Sequence, residues 1–222
     1  MGEWADVEQC FQETLGLTRR PVAVAFRDAR PAGLEPFQGS APAGCTFWRL
    51  ASAGRVVATT PADHYNCPIG SYTHNLPLPP ERVPELEQTL GLMVDVGYLR
   101  LEEVPRIPRL PRTPGALLYA PLGDAAFDPD VVLVTGRPGR VMLLYEAALR
   151  AGALAPQPLL GRPACMALPA ALAHGVVVST GCIGNRVYTD IGDDELYVAI
   201  PGKDVRRVAA ALATIGSANA TL

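Results

Sequence analysis

The sequence has no excess of positive charge: 19 Lys and Arg stand against 22 Asp and Glu in 222 residues, a net charge of −3. Neutralising a phosphate backbone requires the opposite balance, so nucleic acid is not an expected partner. An unbroken apolar run is also missing. The longest uncharged stretch, 163–185, is interrupted by Pro169, His174, Gly175, Ser179, Thr180 and Gly181. It suits a core helix, a turn and a buried strand better than a bilayer span. Residues 1–6 carry acids where a secretory leader needs positive charge, and the expected location is the cytoplasm, with no membrane partner. Cysteine is sparse, five in all. In a reducing compartment that excludes a disulfide scaffold and leaves metal binding or catalysis as the better explanation.

What is present is enough apolar material, 49% of residues, for one core. The expected architecture is a single compact domain over 1–222, α/β or α+β, with a mixed sheet flanked by helices. Val7, Phe11 and Leu15 at helical spacing predict a helix ending near Gly16. Short apolar runs predict strands at 22–26, 56–60, 116–120, 131–135, 176–179 and 196–200. Helices are expected from Cys45 to Gly54, over 81–98, through Met142 to Leu149, near 168–174 and over 203–215. The 131–149 strand, turn and helix lack a full glycine fingerprint and are read as ordinary packing. Pro105, Pro108, Pro111 and Pro114 recur every third residue, with Arg106, Arg109 and Arg112 between them. This ladder reads as a stiff polyproline connector, with partner binding as the alternative.

The two halves repeat a pattern. Cys45 is followed by Gly54, the run Val56-Val57-Ala58-Thr59-Thr60, and a loop ending Cys67-Pro68-Ile69-Gly70. Cys165 is followed by Gly175, the run Val176-Val177-Val178-Ser179-Thr180, and Gly181-Cys182-Ile183-Gly184. Each half therefore reads cysteine, helix, glycine, valine-rich strand, cysteine loop. A degenerate duplication, with pseudo-symmetric halves at about 17–76 and 116–202 joined by a helix and the proline-rich connector, would bring four cysteines together across a pseudo-twofold axis. Cys10 has no counterpart and reads as a small core residue.

The four paired cysteines lack the Cys-x-x-Cys spacing of zinc ribbons and the clustered run of bacterial ferredoxins, so the whole fold would have to assemble them. A shared metal or iron-sulfur site, independent buried cysteines, and metal-free thiol chemistry all stay open on the residues alone. His64, after Asp63 and before Cys67, is a candidate proton donor or alternative ligand, with Asp63 orienting it or the pair capping a turn. His74 is a weaker candidate, and His174 is expected to satisfy a helix end. Arg186, close after Cys182 with Tyr188, could bind an anion, offset cluster charge or form a structural ion pair. Asp193, Asp194 and Glu195 read as a solvated turn rather than a hard-cation site, and Trp48 as core.

Leu15-Gly16-Leu17 with Pro21-Val22-Ala23-Val24, the Cys45 helix, Cys67-Pro68, Asp130-Val131-Val132-Leu133-Val134 with Met142, Cys165, Cys182-Ile183-Gly184-Asn185-Arg186, Asp193-Asp194-Glu195 and Ile200-Pro201 follow one another along nearly the whole chain. In this order they resemble domain-of-unknown-function family 169. The resemblance implies no activity, but it places cysteine at the same four positions and not at Cys10. It strengthens the expectation of a common site, with an iron-sulfur cluster, a [4Fe-4S] centre held by Cys45, Cys67, Cys165 and Cys182, ahead of zinc. The expected function is then that of an iron-sulfur oxidoreductase or lyase, with His64 and Arg186 as catalytic candidates acting on a small molecule, sulfur-related chemistry being one option, or transferring electrons to a partner. The alternatives are a structural zinc module that binds a partner, and a metal-free thiol enzyme using Cys67 or Cys182. An oligomer is compatible with any of these.

Overall fold

The computed structural model describes residues 3–221. Its elements in chain order are α1 (Ala5–Leu15), β1 (Val22–Arg27), α2 (Thr46–Ser52), β2 (Val57–Thr59), α3 (Pro68–Thr73), α4 (Val83–Asp95), β3 (Ala116–Pro121), β4 (Val131–Gly136), α5 (Pro138–Arg150), β5 (Leu154–Leu160), α6 (Ala167–His174), β6 (Val176–Ser179), α7 (Ile183–Thr189), β7 (Leu196–Pro201) and α8 (Val205–Thr221). The seven strands form one sheet in the order β2-β3-β1-β4-β7-β6-β5. Every pairing is antiparallel except β5 with β6. No helix among the described residues is long and apolar enough to cross a membrane.

Strand alternation divides the core into two layers, because successive side chains leave a strand on opposite faces. Ala23, Val132, Val134, Val198 and Ile200 point to one face, where α1, α5 and α8 cover them with Phe11, Leu144 and Leu212. Val22, Val24, Leu117, Tyr119, Val131, Leu133 and Tyr197 point to the other, covered by Phe47 and Trp48 of α2 and Leu168 of α6. Cys10 packs with the first layer, whereas Cys45, Cys165 and Cys182 pack with the second.

Helix α1 ends at Gly16, whose backbone is left-handed at φ 57° and therefore suits a residue without Cβ. Several elements differ from the sequence expectation. The segment 63–70 is not an open loop. A 3-10 turn over Pro61–His64 leads into α3, which starts at Pro68. Cys182 likewise caps a helix, α7, instead of lying in a turn. Strand β5 was not expected, and the proline ladder begins inside a 3-10 turn, Leu101–Arg106, that contains Pro105. Strand β3, grouped above with the later strands, pairs with β1 and β2.

Candidate functional site

The four cysteines of the echo open helical segments on the same side of the sheet. Cys45 stands at the N-terminal cap of α2, and the buried Phe47, Trp48 and Ala51 fasten that helix to the second core layer. Cys67 caps α3, and its Sγ accepts the Gly70 N–H at 3.3 Å. Proline at the first helical position needs no N–H partner, which helps so short a helix to start there. Cys165 lies in the 3-10 turn Ala164–Met166 that runs into α6. Cys182 caps α7, where its carbonyl accepts the Arg186 N–H at 3.0 Å. Helix α2 packs on α7, and α3 packs on the turn that carries Cys165.

Neighbouring groups link these segments. Asn185, one turn into the Cys182 helix, lies beside the Cys45 thiol. The Gly44 N–H, adjacent to Cys45 in sequence, joins those of Ile69 and Gly70 around Cys67. The Thr73 hydroxyl, at the far end of the Cys67 helix, lies beside Cys165. Burial is the main influence on three of the thiols: it pushes Cys45 up to about 12, raises Cys67 and raises Cys165 well above the ordinary thiol range. The thiols also act on one another. Cys67 and Cys182 raise Cys45, Cys182 raises Cys67, and Cys45, Cys67 and Cys182 all raise Cys165, so each of the four lies within electrostatic reach of the other three. Among the described residues, however, no three His, Cys, Asp or Glu side chains are gathered as one metal ion would hold them. All five cysteines are free thiols.

A band of polar atoms without partners lies in the same layer. Both polar atoms of the Asn185 amide, the Tyr119 hydroxyl, His64 Nδ1 and both His74 ring nitrogens are buried without a hydrogen bond. Tyr119 is close enough to Cys45 and Cys165 for their charge to raise its phenol, after the larger effect of burial. Such groups ordinarily find a partner inside a protein.

His64 lies in the same buried layer. It is 1% exposed and held neutral, well below the ordinary histidine range, by burial and by the neighbouring His74. Asp63 does not orient it. The Asp63 carboxylate instead accepts the Thr60 N–H at 2.7 Å and the Thr60 hydroxyl at 2.9 Å, closing a capping box. His74 is equally buried, and burial lowers it to about 4. His174 is exposed at the C-terminal end of α6.

Arg186 donates to the carbonyls of Gly192 at 2.6 Å, Thr180 at 2.8 Å and Glu195 at 3.3 Å, which occupies its guanidinium with the loops around α7. Glu195 accepts the Gly192 N–H and pairs with Arg19, and Asp194 pairs with Arg137 at 2.9 Å. Trp48 is core. Sequence reasoning missed Asn185, Thr73, Tyr119 and Gly44. Asn185 stands within the quoted run after Cys182, but nothing in its spacing indicates that it meets Cys45.

Fold and site together define a mixed α/β domain that gathers four thiols and several unpartnered polar groups behind one face of its sheet. The DUF169 family model, described as uncharacterised ArCR, matches residues 10–211. The chain belongs to that family. No curated protein and no solved structure matches it.

Proposed function

We propose that Cys45, Cys67, Cys165 and Cys182 hold an iron-sulfur cluster of the [4Fe-4S] type, and that the protein is a redox enzyme or electron carrier of the cytoplasm. The observation that carries this reading is the chain of contacts from one cysteine segment to the next: Cys45 to Asn185, Gly44 to Cys67, and Thr73 to Cys165. Four thiols within electrostatic reach of one another suit a centre in which each thiolate takes a different iron.

The donor set also fits. A buried thiolate needs compensating donors, and the capping position of Cys67 supplies backbone N–H groups while Asn185 and Tyr119 bring unpartnered side-chain donors. Bound there, a cluster supplies one-electron chemistry, and ligation by all four cysteines leaves no iron position open to substrate. Cys45, Cys67, Cys165 and Cys182 would hold the cluster, and the buried Asn185 amide and the N–H groups around Cys67 would supply donors to it. Metal-free thiol catalysis at Cys67 fits poorly, because a nucleophilic cysteine requires a lowered pKa and burial raises that of Cys67.

We also infer that the two halves are a duplication. The order β2-β3-β1 on one side and β4-β7-β6 on the other supports it, as does the position of Cys45 and Cys165 before α2 and α6 and of Cys67 and Cys182 before α3 and α7. On this reading the first unit extends through β3 rather than ending at 76.

Anaerobic purification with reconstitution tests the assignment. The expected product is brown, with about four iron and four sulfide per chain. Each of Cys45→Ala, Cys67→Ala, Cys165→Ala and Cys182→Ala loses the cluster, while Cys10→Ala, on the opposite face, keeps it. A colourless protein that takes up neither iron nor sulfide overturns the reading, and stoichiometric zinc in its place returns the structural module. Iron retained by Cys165→Ala alone would point to three ligands and an open Lewis-acid iron.

A further inference from the structure

A cleft of about 570 Å³ with no cysteine in its lining lies between the proline segment, β5 and α6. Its volume falls within the roughly 300–1,000 Å³ of small-molecule sites. Much of its lining is apolar, from Ile107, Leu160, Met166 and Val177. Its charge comes from Arg106, Arg162 and Glu103. The Glu103 carboxylate is already held by Arg100 and by Arg162, each at 3.0 Å. Arg162 is fixed over the Tyr98 ring at 5.0 Å, and its Nε is buried without a hydrogen-bond partner. Arg106 makes neither an ion pair nor a side-chain hydrogen bond among the described residues. A chain with a net charge of −3 thus places an uncompensated guanidinium at an apolar cleft.

We propose that this cleft binds a small organic anion with an apolar body, its carboxylate taken by Arg106 and its hydrocarbon lying against Leu160, Met166 and Val177. Guanidinium suits this task because its planar donors match a carboxylate and its charge does not depend on pH in the physiological range. Met166 directly follows Cys165 in the same 3-10 turn, so the bound molecule would lie against the outer side of a cysteine segment. The inference stands whether or not a cluster is bound.

Titration calorimetry with octanoate, and with octylamine as the cationic counterpart, tests it on the full chain. Octanoate is expected to bind saturably and octylamine not at all. Arg106→Gln should weaken octanoate by about tenfold or more, the usual effect of losing a hydrogen bond to a charged group. Gly161 lines the cleft, and a Cβ there meets nothing within 4 Å, so Gly161→Trp is expected to place its indole in the cleft and abolish binding. Iron content measured on both variants separates this result from the cysteine assignment, because neither residue belongs to that site. No saturable binding of octanoate, equal binding of octylamine, or an affinity unchanged in both variants overturns the proposal.

Discussion

His64 donates its Nε2 proton to the Thr59 hydroxyl, 2.9 Å away. The direction follows from Thr59, whose single proton goes to the Leu117 carbonyl at 3.0 Å, so its oxygen can only accept from the imidazole. Nδ1 is then the bare nitrogen, and it has no partner. A Cβ built on Gly44 would lie 2.7 Å from it, so the lone pair faces the backbone next to Cys45. The ring is thus a fixed neutral wall of the site.

Stability should fall on acidification because His64 and His74 are both depressed. Between the folded and unfolded pKa values the unfolded chain binds the extra proton. The contribution is therefore complete above about pH 6.5 and is lost as pH falls, by up to about 1.4 kcal/mol per pH unit for each imidazole. For His74 the loss ends near its folded value of about 4. Urea denaturation from pH 7 to 5 measures the slope, and His74→Leu should lower it by about one proton. An unchanged slope would mean that His74 is solvated in the folded state.

The raised thiols make a separate prediction for the reduced, cluster-free protein. With Cys45 near 12, its thiolate fraction at pH 8 is roughly a thousandfold below that of an unfolded cysteine, and iodoacetamide labelling should slow accordingly. Peptide mapping after timed quenching, in buffer and in urea, gives the ratio. Equal rates would show an accessible, ordinary thiol. Because metal ligation requires the thiolate, cluster loading should also release protons from Cys45, Cys67 and Cys165 and proceed better as pH rises through the neutral range.

Much of the fold was legible because its signals are local. Val22–Ala25 and Val131–Val134 read as buried strands, and Gly16 closes α1. The echo also placed Cys45 and Cys165 before helices, but it set Cys67 and Cys182 in loops, whereas they cap α3 and α7. What was not legible depends on distant partners. Strand β5 carries Pro156 and Pro158, which suit only an edge, and it exists because β6 lies beside it. Helix α3 has six residues, too few to nucleate alone, and is held by the Cys67 cap and by Ser71, whose hydroxyl donates to the His64 carbonyl at 3.1 Å. Asn185 and Tyr119 approach the cysteines only through the packing of α7 and β3, which no spacing in the chain reports.

Gly44→Ala should disturb the site from its backbone. The new methyl would enter the 2.7 Å gap to His64 Nδ1, and the ring has little freedom to retreat: Thr59 holds its far side and the Phe47 ring lies 5.0 Å away. Overpacking of this kind costs about 1–3 kcal/mol. Urea unfolding measures the loss, and iron content should drop with it because Cys45 is the next residue. Full stability with a full iron complement would show that the imidazole can move aside, contrary to its fixed placement.

Arg186 separates a structural role from a catalytic one. Its guanidinium reaches carbonyls on both sides of α7, at Thr180 before the helix and at Gly192 and Glu195 after it. An ammonium group has one centre and cannot span them, so Arg186→Lys should behave almost as badly as Arg186→Gln. The expected loss is about 1–3 kcal/mol, with faster proteolysis in the 180–195 region and reduced iron content through displacement of Cys182. A direct role in binding an anionic substrate predicts another pattern: Arg186→Lys would keep part of the activity, both variants would keep iron and stability, and the defect would lie in KM. The carbonyl contacts favour the first pattern, because each donor they occupy is one a substrate would have to displace.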